Sequence, residues 1–161
     1  MEIIYSDSDL KEDLIQNSLN ELFPKLIFFN WDMNSPPPVK FDSQNPLHVI
    51  YYSHYDSEKI EFPFCLTIQR TPEIDSQERE IYIVRHLHKK TNTRYLVGYT
   101  DPDQPDYPYF SLIFENDQIF LSDDFKTNFA DGETGLVQKI RPISLPFIEF
   151  SEMGRRKYEC H

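Results

Sequence analysis

Glycine is scarce in this chain, with four in 161 residues. Loops that cradle phosphate need glycine for close backbone approach, and neither a Gly-x-Gly-x-x-Gly nor a Walker-type stretch is present. Cysteine is scarcer still: Cys65 and Cys160 only. Cys65 lies in the apolar segment Phe62-Pro63-Phe64-Cys65-Leu66, which marks it as a small buried hydrophobe and a poor nucleophile. A bridge to Cys160 is unneeded at this size. Basic residues are outnumbered, 16 Lys and Arg against 27 Asp and Glu, for a formal charge of −11. That balance repels the phosphates of nucleic acid and the surface of anionic membranes, so neither is expected as a partner. Long hydrophobic runs are missing too. The run Leu26–Phe29 is far too short to span a bilayer. The opening residues lack the basic and apolar regions of a signal peptide, so a reduced, cytoplasmic setting is expected.

Catalytic signatures are also wanting. No Gly-x-Ser-x-Gly elbow occurs. The histidines His48, His54, His86, His88 and His161 show no zinc-ligand spacing, and no Cys-x-x-Cys or His-Glu-x-x-His is present. A restriction-type nuclease site would need a lysine where Asp117 stands after Glu115-Asn116, which leaves its charge balance wrong. The chain is therefore expected not to be an enzyme, and no cofactor or metal is assigned.

What the chain does have is aromatic mass and clustered acid. Thirteen Phe and ten Tyr give large burial per residue, enough for one α+β domain over 1–161 without staples. Between Asp101 and Glu133 stand nine acids, Asp101, Asp103, Asp106, Glu115, Asp117, Asp123, Asp124, Asp131 and Glu133, against one base, Lys126. That stretch carries −8 of the −11. Aromatic rings run through it: Tyr107, Tyr109, Phe110, Phe114, Phe120, Phe125 and Phe129. Prolines stiffen the loop Asp101-Pro102-Asp103-Gln104-Pro105-Asp106, and rigid charges lose less entropy on binding. It fails as an EF-hand, because Pro105 takes a ligand position and Asp106 stands where glycine is required.

The local pattern places the elements. Glu2–Tyr5 reads as a strand. Leu10, Leu14, Ile15, Leu19, Leu22 and Phe23 recur at helical spacing up to Pro24, behind cap candidates Ser6 to Asp9. Lys25–Trp31 reads as a mostly buried strand. Residues 32–46, with Pro36-Pro37-Pro38, form a long loop that is either functional or mobile. His48–Tyr52 and Phe62–Arg70 follow as strands. Asp75-Ser76-Gln77-Glu78 has the form of a capping box before Ile81, Val84 and Leu87, so a helix is favoured there over a strand. Arg94–Thr100 is a strand, and Tyr109–Phe114 and Gln118–Leu121 flank a hairpin turn at Glu115-Asn116-Asp117. Leu136–Phe150, broken by Pro142 and Pro146, suits an edge strand or wrapping tail. Residues 151–161 are expected to fray. The fold class expected is α+β, a mixed or antiparallel sheet with about two helices packed on it.

The function that fits is a small acidic binding protein that inhibits a basic partner, immunity-type, its target a nuclease or other toxin with a cleft lined by Lys and Arg. The partner-binding candidates are Asp101, Asp103, Asp106, Tyr107, Tyr109, Asp123 and Asp124. Two alternatives stay open: a metal-dependent hydrolase using the same carboxylates, and a homodimerisation module pairing through an edge strand at Leu136–Ile143.

Overall fold

The computed structural model describes residues 1–127 and 135–158. It is an α+β fold: one eight-stranded mixed sheet with two helices on a single face. In chain order the elements are β1 (Glu2–Ser6), α1 (Glu12–Leu22), β2 (Ile27–Asn30), β3 (His48–Tyr55), β4 (Phe64–Gln69), α2 (Ser76–Thr91), β5 (Tyr95–Gly98), β6 (Phe110–Glu115), β7 (Gln118–Asp123) and β8 (Gln138–Ile143). Across the sheet the order is β2-β3-β4-β1-β5-β6-β7-β8. β2 and β3 run parallel and every other neighbouring pair is antiparallel.

The helical stripe of α1 is realised: Ile15 and Leu19 are buried, and Phe23 closes the helix with its amide on the Leu19 carbonyl at 2.9 Å. Its cap differs from expectation. Lys11 occupies the N-cap, and Glu12 and Asp13 face the positive end of the dipole in place of a capping oxygen. α2 buries Ile83, Val84 and Leu87 against Ile4, Leu66, Val97 and Leu112 of the sheet. The capping box is not formed. Asp75 sits at φ 63° with no side-chain bond to the helix. Its carboxylate is drawn to the chain's end instead, 3.6 Å from Arg156 Nη1 and accepting the Tyr158 hydroxyl at 3.3 Å.

β2 corrects a second expectation. It is an edge strand with one buried residue, Phe28, because parallel pairing to β3 carries it to the far side of the sheet from β1. The proline-rich loop is packed. Phe29, Trp31, Phe41 and His48 form a ring cluster with centroids 4.9–6.0 Å apart, and Arg70 donates to the carbonyls of Ser43, Asn45 and His48 at 2.9–3.2 Å. The expected fraying of 151–161 is absent through Tyr158. Lys157 donates to the Glu149 carbonyl at 2.9 Å, and Gly154, at φ 71°, offers its carbonyl to Arg79 at 2.8 Å.

Arg79 is fully buried and fastens three segments. Its Nε donates to Glu2 Oε1 at 2.8 Å, and its two Nη atoms reach the carbonyls of Pro72, Ile74 and Gly154. Glu2 in turn accepts the Thr71 hydroxyl at 2.7 Å. Such a pair is tolerable inside a fold because each side-chain nitrogen of Arg79 and each carboxylate oxygen of Glu2 has a hydrogen-bond partner.

On the opposite face of the sheet, Phe62 of the β3–β4 connection packs on Leu96 and Ile113. No described helix is long and apolar enough to cross a membrane.

Candidate functional site

Two sets of acids lie at opposite ends of the β6–β7 hairpin. The turn end is built on Asn116 and Asp117, with φ 49° and 60°, which is the left-handed pair that a two-residue hairpin requires. His88, at the end of α2, braces that turn. Its Nδ1 lies 2.7 Å from the Thr93 carbonyl and its Nε2 accepts the Asp117 amide at 3.4 Å. Glu115 is neutralised. Lys139 hydrogen-bonds its Oε2, and Arg94 Nε lies 2.8 Å from Oε1 as an ionic contact without hydrogen-bond alignment. The lysine contact is the main cause holding the Glu115 carboxyl below its ordinary value, with the arginine adding to it and burial opposing.

The other end is where β5 exits, the 99–109 loop turns back, and β7 finishes. Tyr107 joins loop to strand: its hydroxyl donates to Asp123 Oδ2 at 2.6 Å. The Asp124 amide donates to the Tyr109 carbonyl at 3.0 Å. Ring contacts continue the junction, Tyr107 to Tyr109 at 5.6 Å and Tyr109 to Phe125 at 4.8 Å between centroids. Five of the seven candidates are thereby drawn together or bracketed: Tyr107, Tyr109, Asp123 and Asp124 by direct contact, and Asp106 by its place beside Tyr107. Asp103 and Asp106 are exposed, while Tyr107, Tyr109, Asp123 and Asp124 are half-buried.

Asp101 behaves differently. It is 8 % exposed, and its carboxylate accepts the Asp103 amide at 3.0 Å while its carbonyl accepts the Gln104 amide at 3.0 Å. This is an Asx turn, so the side chain shapes the loop and offers little to a partner. Tyr107 is also more internal than its neighbours Asp106 and Pro108 imply, since its ring packs 4.7 Å from Phe110.

The electrostatics of the two ends are opposed. Among the described residues no Lys, Arg or His forms an ion pair with Asp101, Asp103, Asp106, Asp123 or Asp124. Arg141, on the exposed edge strand β8, shares a concavity with Asp101 and Asp103 without pairing. Burial, then the neighbouring Asp123 charge, push Asp124 up to about 6. The Tyr107 hydroxyl is pushed up to about 12, first by its hydrogen bond to Asp123. The first shift comes chiefly from burial and the second from donation to a carboxylate, with neighbouring negative charge adding to each.

Phe125 was absent from the candidates though it is 47 % exposed and packs on Tyr109. Its position directly after Asp123-Asp124 was the available signal. Asp131, Glu133 and Phe129 lie outside the described residues, as do Cys160 and His161. Among the described residues, no three His, Cys, Asp or Glu side chains converge in a way that could hold a metal ion. Comparison with protein-family models, curated proteins and solved structures found no match for this chain.

Proposed function

We propose that the protein is a small binding module of the immunity type, which inhibits a basic protein by seating the acidic, tyrosine-bearing end of its sheet in a cleft lined with Lys and Arg. The observation that carries this reading is the junction of Tyr107 with Asp123, which pins a carboxylate-bearing loop to the end of β7 where none of the described bases pairs with these acids. Asp124 adds to it: a carboxyl raised to about 6 by burial and a like charge is relieved when a cation arrives. Exposed Asp103 and Asp106 would steer the encounter, and Tyr109 and Phe125 would supply the desolvated contact.

The test is capture from a lysate of the native host at low salt. A basic protein retained by the unaltered chain, and lost when Asp106, Asp123 and Asp124 are all replaced by Asn, is the expected result. Retention by the triple variant, or retention that ignores salt, would sink the reading.

A homodimer through β8 is the second reading. It is favoured by the position of β8 at the sheet edge with Ile140 49 % exposed. Antiparallel pairing of two copies centred on Ile140 would set Lys139 opposite Arg141, a like-charge contact that weakens it. Sedimentation across concentration separates the two readings: association that deepens with concentration favours the dimer.

A further inference from the structure

A second region stands apart from the acidic end. Between α2, the start of the 99–109 loop and the segment 145–148 runs a cleft of about 240 Å³. Ile81, Tyr82, Tyr99, Leu145, Phe147 and Ile148 make its lining strongly apolar. It meets a wider cleft of about 560 Å³ between the end of α2 and the β7–β8 edge. Arg85, Leu145 and Phe147 line both, so Arg85 stands where the narrow cleft opens into the wider one.

Arg85 places a positive charge on the wall shared by the two clefts. Among the described residues it has no carboxylate partner. Its Nη2 donates to the Leu145 carbonyl at 3.0 Å, its guanidinium lies 5.7 Å from the centre of the Phe147 ring, and its Nε is buried with no hydrogen-bond partner among the described residues. A carbonyl dipole and a ring face replace only part of the water a guanidinium loses on burial, and burial duly lowers its pKa. Lys89 lies one helical turn on and lines the wider cleft beside it. The carboxylates on the linings are Glu78, in the apolar cleft, and Asp117, whose amide is tied to His88 at the hairpin turn.

An apolar slot that ends at an unmatched cation has one complementary ligand chemistry: a hydrocarbon body bearing a single anionic head. We infer that this double cleft binds a small amphipathic organic acid, with its apolar chain along Ile81, Tyr82 and Ile148 and its carboxylate against Arg85. Planar, bidentate recognition of carboxylate is what arginine does better than lysine, and a water-poor wall strengthens it. Lys89 adds charge without fixing geometry. The site shares the start of the 99–109 loop with the acidic end, but none of the seven residues assigned to that end lines either cleft.

The probe is decanoate, titrated into the isotopically labelled full chain and followed by amide NMR shifts. Saturable shifts at Gln77, Ile81, Thr100, Leu145 and Phe147 are expected. Decanol, with the same chain and no charge, should bind about tenfold more weakly, the scale of one charged hydrogen bond. Arg85→Gln should weaken decanoate by a similar factor and leave decanol unchanged, whereas Arg85→Lys should recover part of the loss. The decanoate–decanol comparison needs only the unaltered protein, so a variant that fails to fold does not remove the test. No saturable shift at these residues, or equal affinity for acid and alcohol, would overturn the inference. Shifts produced by a peptide of Glu and Leu but not by decanoate would assign the cleft to a protein segment, and would overturn it equally.

Discussion

The two ends of the β6–β7 hairpin carry the same kind of residue and reach opposite electrostatic outcomes. At the turn, Glu115 is met by Arg94, directly before β5, and Lys139 from β8, and Asp117 is braced through its backbone by His88. At the other end, Asp123 is met by a tyrosine hydroxyl, and Asp124 by burial and another carboxylate. The first arrangement holds a carboxyl below its ordinary value and the second raises one. Acids that look equivalent along the chain are thus divided by what β5 and β8 bring beside them. Compensation marks a structural acid, and the absence of an ion pair to these acids among the described residues, at a half-exposed junction, is the ground for the binding proposal.

A third acid sets the upper scale of compensation. Glu2 is fully buried with Arg79, so removing the arginine leaves a carboxylate stranded in the core. Arg79→Gln is expected to cost about 3–5 kcal/mol in urea unfolding, and to free the 151–158 turn from its anchor on the Gly154 carbonyl. A loss below about 1 kcal/mol would show that the pair contributes little.

The hairpin itself gives a sharper contrast. At pH 7, Glu115→Gln should destabilise by about 1 kcal/mol, because it takes the carboxylate from Lys139 and leaves Arg94 with Glu61 alone. Asp124→Asn should stabilise, by about 1 kcal/mol after discounting for its partial exposure, because it removes a disfavoured charge. Chemical unfolding of both variants in one buffer checks the pair. Changes of the same sign would break the distinction between the two ends.

Their pH dependences run in opposite directions. Asp124 binds its proton more tightly when folded, about 6 against 3.8, so its contribution to stability falls as pH rises between those values. Glu115 binds its proton less tightly when folded, so its contribution is present above 4.5 and fades as pH drops below that. Glu80 must be separated from both. Burial foremost, with Glu2 adding and the Ile3 amide opposing, pushes it up to about 8, so its contribution fades as pH rises from about 4.5 to 8. Glu80→Gln supplies the background in which the Asp124→Asn difference, read from pH 4 to 7, isolates the smaller effect.

Much of this architecture was legible along the chain where the signal is local. The apolar stripe from Leu14 to Phe23 announced α1, Asn116-Asp117 announced the hairpin, and Pro142 marked β8 as an edge. The α2 assignment also held, although Glu80 to Val84 has strand-like composition, because Ile83, Val84 and Leu87 share one buried face. What was hidden depended on distant partners. The Asp75 carboxylate serves the tail because Arg156 and Tyr158 return beside it. β2 lies at the edge because it pairs parallel with β3. At the acidic end the chain showed the residues but not their division: the separation of Glu115 from Asp123 is set by Arg94 and Lys139, 21 and 24 positions from Glu115, and Asp101 turned inward to hold its own loop.

The central claim is that the uncompensated end, and not the turn end, receives positive charge. Titration of the labelled protein with a hexa-arginine peptide at low salt addresses it directly. Amide shifts concentrated at Asp103–Tyr109 and Asp123–Phe125, weak at Glu115–Gln118 and erased by physiological salt, are the predicted result. Shifts strongest at Glu115–Gln118, or spread evenly over both ends, would contradict it.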